Sequence, residues 1–544
     1  MAVTRLGSNK SRPFARGGGI KSAPFQRDLH AKVEPIREII ERGLIVESPD
    51  IGVERLPDGR IKLRLKNLIG GPLPALAGPG AGPPPGPGTA GAFTDFYCMS
   101  GGSPYNGGSN EGAAIYTSTN GNWNGATIFT PTDGSNPVSA GVMVGQFANV
   151  HLDGPTGGVF IARVTAVVNA ANGAITLNAS GAGAGVAGGA NGRSIVVGGA
   201  WGGPGALGTT DTNPFAQNNL INLTNVAGDI PRINMKNDHT YTVTVQITHS
   251  NTSSGPIVTQ GYASVKGDGG RAKISSASAI TILQPSTAIN MWADLEIEST
   301  ATTGTGSCAV EQVPQSWYRC VFHGARGHGL FTTGASIVHE CEAYECNKSN
   351  TAAVAGFSAY NAVGATFIRC YSHDHTTGAA GTNSHGFYLN NSSALEYCIA
   401  ENCKGSGVVS VTACTVKNCD FYNNAVDGVT LSGAAVIMAL IENCNFLKNA
   451  GKGINASGSN LIMGYTFNCG YGAGGMANGG VNVLKRITEV SPFTYGTNAT
   501  PWTAPDTGNF TVSLADAQGT GRGIFIESGS GSSGTLGTPN IGAA

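Results

Sequence analysis

The chain has 544 residues, too many for one ordinary domain, with 82 Gly and 26 Pro but only 12% charged residues. That balance excludes a helical enzyme and favours many short strands and tight turns, while 40% hydrophobic residues leave enough for a substantial core and exclude disorder throughout. Net charge is −1, but residues 1–66 hold 14 Lys/Arg against 8 Asp/Glu and the remainder 18 against 25, so a basic head precedes an acidic body.

Residues 1–27 read as a basic arm loosened by Gly17, Gly18 and Gly19. The spacing of Val33, Ile36, Ile39 and Ile40 predicts a short helix over 28–42 that stops at Gly43. Val53–Leu56, the turn Pro57-Asp58-Gly59 and Arg60–Leu65 predict a hairpin, because Asp-Gly readily supplies positive φ. Residues 70–92 form a Pro/Gly spacer without the strict period of collagen. Val159–Val164 and Ala174–Leu177 read as strands within a Gly/Asn/Ser-rich stretch, and residues 180–206 carry too few anchors to assign. From His239 to Thr248 alternation predicts a ten-residue strand.

The first 25 residues lack the apolar core of a secretion leader, and no run of 18 apolar residues exists. Assembly in a cytoplasm and no membrane insertion are the expectations. Gly-rich stretches such as Gly181–Gly192 lack the Lys-Ser/Thr of a phosphate loop, no nucleophile elbow stands with triad partners, and an acidic body is unsuited to nucleic acid.

Internal periodicity sets the fold class. Cys320, Cys341, Cys370, Cys398, Cys419, Cys444 and Cys469 recur at intervals of 21, 29, 28, 21, 25 and 25 residues. Gly329, Gly407, Gly428 and Gly453 fall nine residues after their cysteines, and Gly356 and Gly386 fall 15 and 16 after theirs. Each unit reads as one turn of a solenoid, clearest from Ser316 to Val483. The cysteine points inward, glycine relieves a corner, and a second strand follows. Such inward cysteines act as compact hydrophobes. Their pairs, separated by four residues, do not complete a zinc site, and without a secretion leader disulfides are not expected. No cofactor is expected.

The turns Asn418-Cys-Asp-Phe-Tyr-Asn-Asn424 and Asn443-Cys-Asn-Phe-Leu-Lys-Asn449 resemble the parallel β-helix repeat family, which includes pectate-lyase-like enzymes and bacteriophage tailspikes. Gly255–Val258 to Gly267–Gly270 resembles an early coil, and Gly508–Leu514 with Gly537–Gly542 a terminal one. The resemblance covers roughly residues 235–544 and implies an all-β right-handed parallel β-helix. Around it stand a small N-terminal α+β head and arm (1–69), the Pro/Gly linker (70–92), a β region leading into the solenoid (93–232), the β-helix (233–484) and a closing coil (485–544). This layout is similar to that of phage appendages. It implies a homotrimer in the virion, bound to virion proteins through residues 1–66 and working outside the cell on a host-surface polysaccharide.

With the cysteines inward, strand alternation places positions −1, +1 and +3 outward. These are Glu340, Glu342 and Tyr344; Arg369, Tyr371 and His373; Tyr397, Ile399 and Glu401; Asn418, Asp420 and Tyr422. Rings beside hydrogen-bonding groups suit sugar recognition, so Tyr344, Tyr371, Tyr397 and Tyr422 are candidate glycan-binding residues. His373, Asp374, His375 and His385 join them, clustered at the loop Asp374–Ser384, with a second loop at Asn347–Ala355. Glycoside cleavage needs two carboxylates. Glu342 and Glu401, two coils and roughly 9–10 Å apart, or Glu401 and Asp420, one coil apart, are the candidate pairs. For a lyase the outward base would be Arg369. Three functions are left open: a glycan-binding appendage, a polysaccharide-degrading enzyme of the same fold, and a bacterial surface adhesin. The bland alternative is that these side chains are ordinary solvent-facing polar groups.

Overall fold

The computed structural model describes residues 93–512 with gaps, the largest at 179–189, 203–229 and 248–256, together with Ala2–Val3, Ile51–Arg55 and Ile61–Leu65. Two units divide after Gly78. In the first, Ile51–Arg55 pairs antiparallel with Ile61–Leu65, Arg55 opposite Ile61, as the hairpin reading expects. Ala2–Val3 joins the other edge of Ile61–Leu65. The helix expected over 28–42 lies outside the described residues.

The second unit is a solenoid of three parallel sheets. The first sheet has twelve strands from Phe93–Cys98 to Arg486–Val490, the second eleven from Thr240–Thr242 to Phe493–Thr494, and the third eight from Ala309–Val310 to Met476–Ala477. One complete coil contributes Ile337–His339, Glu342–Tyr344 and Ala355–Ala359 in turn. Three strands per coil replace the two expected. The strand before each cysteine escaped the sequence reading because it is only three to six residues long, too short for a period to declare itself.

Each repeat cysteine from Cys320 to Cys444 sits just past a corner. The residue before it is left-handed: Asp294 (which precedes Leu295 in a coil lacking the cysteine), Arg319, Glu340, Arg369, Tyr397, Asn418 and Asn443 have φ between 51 and 57°. Four residues past the cysteine the chain turns left-handed again, at Glu345, Asp374, Asn402, Asn423 and Lys448, with φ of 50 to 53°. This conformation costs roughly 1–2 kcal/mol in a non-glycine residue, and stacking of like corners offsets it. Arg319 reaches Asp294 at 2.7 Å, Arg369 reaches Glu340 at 3.6 Å, and Asn443 donates to Asn418 at 3.1 Å. Position −1 is therefore a corner position, set apart from the +1 and +3 positions of the second sheet.

Inside, the cysteines stack coil on coil. The Cys320 amide donates to Cys341 Sγ, Cys370 to Cys398, and Cys398 to Cys419, each at 3.4 Å. All twelve thiols are free and buried, and burial pushes Cys346 up to about 12 and Cys414 up to about 11. They serve as compact packing groups.

The recurrent glycine does not relieve a left-handed corner. At Gly428 an added Cβ would meet Phe446 Cδ1 at 2.4 Å and the Gly453 carbonyl oxygen at 2.5 Å, so the requirement is close approach to the filled interior. Gly428→Ala is expected to overpack the coil and cost about 1–3 kcal/mol. A urea midpoint equal to wild type would show that the coil yields at no cost.

Three further expectations change. Phe93–Cys98 already pairs in parallel with Ile230–Lys236, so the solenoid starts at residue 93 rather than 233. Between these strands six antiparallel strands close into a barrel: Ala114–Trp123, Ile128–Pro131, Phe147–His151, Val159–Val167, Ile175–Leu177 and Ala190–Gly198. Its core includes Trp123, Phe129, Val150, Val164 and Ile195, and Phe96 of the first coil lies against Phe147 and Trp201 at 4.7 and 4.9 Å. The stretch His239–Thr248 is no single strand: Thr240–Thr242 belongs to the second sheet, and the chain turns before Ile247 bridges Leu283. Finally, Asn509–Val512 pairs antiparallel with Trp502–Ala504, so it is a hairpin and not a coil, while 537–542 lies outside the described residues.

Candidate functional site

The second sheet has one face in the core and one outward. Register places Lys273, Glu296, Val321, Glu342, Tyr371, Ile399, Asp420 and Asn445 in one outward column. Ser275, Glu298, His323, Tyr344, His373, Glu401, Tyr422 and Leu447 form the other. The columns come from the two-residue strand period, and the coil spacing keeps like positions in line.

A connected polar ladder runs up this face. Lys273 Nζ binds Glu296 at 2.9 Å and Glu298 at 3.1 Å, and His323 Nε2 reaches Glu296 at 3.1 Å. The His323 bond, opposed by burial and helped by Lys273, holds the Glu296 carboxyl down at about 2. Rings then stack along the solenoid: His323 on Tyr344 at 4.6 Å, Tyr344 on His373 at 5.3 Å, and His373 on Tyr371 at 4.1 Å. His373 Nε2 bonds Glu342 at 2.9 Å and its Nδ1 bonds Asp374 at 2.8 Å. Burial pulls the imidazolium down, but the two carboxylates outweigh it and hold His373 at about 9. Asp374 is lowered in return, chiefly by His373. Asn402 donates to both Asp374 (3.1 Å) and Glu401 (3.3 Å), and Tyr371 donates its hydroxyl to Glu401 at 2.5 Å.

Six of the sequence candidates thus meet in one network: Glu342, Tyr344, Tyr371, His373, Asp374 and Glu401. Asp420 and Tyr422 lie on the same face one coil beyond Glu401. Asp420 accepts from Asn445 at 3.0 Å, and Tyr422 is fully buried with the Lys448 ammonium 5.1 Å from its ring centre. The other three candidates lie elsewhere. His375 points between coils, where its Nδ1 accepts the Cys346 amide (3.0 Å) and its Nε2 meets Ser372 Oγ (2.9 Å); burial, then the charge of His373, pushes it down to about 3. His385 opens a strand of the third sheet, accepts the Ser406 amide at 3.1 Å, and is pushed down by burial to about 4. Tyr397 occupies the corner between the first and second sheets. Arg369 is at the same kind of corner, paired with Glu340.

Sequence reasoning missed Lys273, Glu296, Glu298, His323 and Asn402. His323 is three residues past Cys320, so the +3 rule reaches it. Glu296 and Glu298 alternate with Leu295 and Ile297 in the coil without the marker cysteine. Asn402 sits at a left-handed corner that carried no marker in the repeat as it was read.

Two features limit the chemistry. The candidate acids Glu342, Glu401 and Asp420 are buried, and each spends oxygen lone pairs on protein donors. The ring faces are spent on one another, so the stack offers edges and polar atoms outward rather than open platforms. Beside the ladder the two loops are tied together: Asn347 Nδ2 donates to the Asn383 carbonyl at 2.8 Å, and the Asn383 amide donates to Asn350 Oδ1 at 3.1 Å. Among the described residues no group of three or more His, Cys, Asp or Glu is arranged to hold a metal ion.

Residues 308–468 match the family described as the right handed beta helix region, and the solenoid is a right-handed parallel β-helix. Among solved structures, pectate lyase Pel9A is similar with 15% identity and a TM-score of 0.37, over 58% of this chain and 87% of that one. A protein of Geobacillus virus E2, ORF18, is similar with 13% identity and a TM-score of 0.35, over 51% of this chain and 56% of that one. No curated protein matches the sequence.

Proposed function

We propose that this protein is a virion appendage that binds a host-surface polysaccharide along the outer face of the second sheet. One observation carries the reading: side chains from successive coils, Lys273 to Glu401, join into a ladder of two hydrogen-bonded clusters linked by the stacked rings of His323, Tyr344 and His373 along the solenoid. A repeating scaffold that presents polar groups at a spacing near 4.8 Å per coil suits an extended, repeating ligand. Binding is preferred over cleavage because the carboxylates that would act as acid and base are buried and engaged with protein donors.

In this reading the basic head, residues 1–66, attaches to the virion and three chains assemble. Light scattering on the full-length protein is expected to give the mass of three chains, and a single-chain mass would sink the appendage reading. On glycan arrays Tyr344→Ala, which removes the ring between His323 and His373, is expected to weaken binding by about tenfold, equivalent to about 1.4 kcal/mol. Undiminished binding would move the glycan off this face.

A further inference from the structure

We infer that the polysaccharide held on this face is a neutral, hydroxyl-rich chain and that polyuronates and sulfated glycans are excluded. This rests on the glycan-binding reading above and adds the chemical class.

The cations of the ladder are taken. Lys273 is bonded to both Glu296 and Glu298, and His373 uses both ring nitrogens on Glu342 and Asp374. His323 turns its Nε2 to Glu296. An acidic sugar would have to break one of these pairs and leave a protein carboxylate unmatched. What remains partly open is mainly acceptor surface: the side chains of Asp374, Glu296 and Glu298 are 50%, 26% and 23% exposed, and the 31% exposed Lys273 is held between the two glutamates. Carboxylates accept strongly from hydroxyl donors, and their summed field repels a polyanion before contact. The closed ring stack points the same way. With no open aromatic face, recognition falls on hydrogen bonds that sugar hydroxyls donate, which a neutral hexose polymer supplies at every residue.

The test is affinity electrophoresis of the full-length protein through gels containing dextran, mannan or galactomannan on one side and polygalacturonate or heparin on the other. Each is run with a chelator and with calcium. Retention by at least one neutral polymer, and by neither acidic polymer in either buffer, is expected. Retention by an acidic polymer alone overturns the inference while leaving glycan binding on this face intact. Retention by none of them overturns both. Glu298→Lys, checked for an unchanged melting curve, is expected to weaken neutral-polymer retention severalfold and to introduce retention by polygalacturonate. Neutral-polymer retention unchanged in that variant would also overturn the inference. Should the variant fail to fold, Glu298→Gln, with the same loss expected on the neutral polymers, replaces it.

Discussion

Replacing His373 by alanine is expected to lower stability by about 3–5 kcal/mol near neutral pH, the usual cost of removing one partner from a buried ion pair. The imidazolium lies between Glu342 at 2.9 Å and Asp374 at 2.8 Å, and its side chain is only 14% exposed. Its removal leaves two carboxylates facing each other without a cation. The pH dependence gives the prediction its sign. His373 is raised to about 9 from an unfolded value of 6.5, so the folded state binds its proton more tightly. The associated stability, about 3 kcal/mol at 1.36 kcal/mol per unit, is complete below pH 6.5 and is lost as pH rises through 9. Urea midpoints at pH 6, 8 and 10 check this. The gap between wild type and His373→Ala should narrow toward pH 10, and a gap independent of pH would mean that the ring matters only by packing.

Glu311→Gln is expected to stabilise the protein, by an amount that grows with pH. Glu311 is completely buried inside the solenoid. Trp317 Nε1 donates to it at 2.6 Å and Ser336 Oγ lies 2.5 Å from its other oxygen. Burial raises its carboxyl to about 8 even though these two bonds pull the other way. A carboxyl raised in the folded state has no effect below its unfolded value near 4.5, and stability falls as pH climbs from there through 8. At 1.36 kcal/mol per unit the loss is about 3 kcal/mol at pH 7 and about 5 kcal/mol above pH 8. Glutamine has the shape and hydrogen-bonding pattern of the protonated acid, so it keeps both contacts and never ionises. The variant and wild type should therefore melt together at pH 4 and separate above pH 6. Coincident melting curves at pH 9 would show that Glu311 ionises as readily in the folded protein as in the unfolded chain.

Glu311 and His373 act in the same direction, since each makes the folded state hold a proton that the unfolded chain releases. Wild-type stability should thus decline from pH 5 to pH 10. On the acid side Glu296, held at about 2 by His323 and Lys273, contributes stability that is lost as pH falls from 4.5 toward 2. The two arms place the optimum near pH 5, which a melting series across pH tests directly.

Much of this was legible in the order of residues. The cysteine interval marked each coil, because the cysteines stack on one another in the interior. Strand alternation from the cysteine found the +1 and +3 columns, hence Glu342, Tyr344, Tyr371, His373 and Glu401. The period of two is local geometry and needs no tertiary knowledge. The same arithmetic failed at −1, where Glu340, Arg369 and Tyr397 turn left-handed, because a strand rule does not apply one residue outside the strand. It also missed Glu296 and Glu298, whose coil carries Leu295 in place of the cysteine.

By itself the sequence determined a stacked parallel solenoid, its period, and the identity of the side chains facing out of the second sheet in the coils of Cys341, Cys370, Cys398 and Cys419. Those features repeat locally, so one chain read against itself reveals them. Only the tertiary structure decided where the solenoid begins, since Phe93–Cys98 pairs with Ile230–Lys236 across an inserted barrel, a contact between residues more than 130 positions apart. Only it decided that Asp374 and Glu342 share His373, that His375 faces inward while His373 faces outward, and that the ring faces close on one another. Each of these depends on which coil lies beside which and on how each corner turns, and neither is written in the spacing of any single coil.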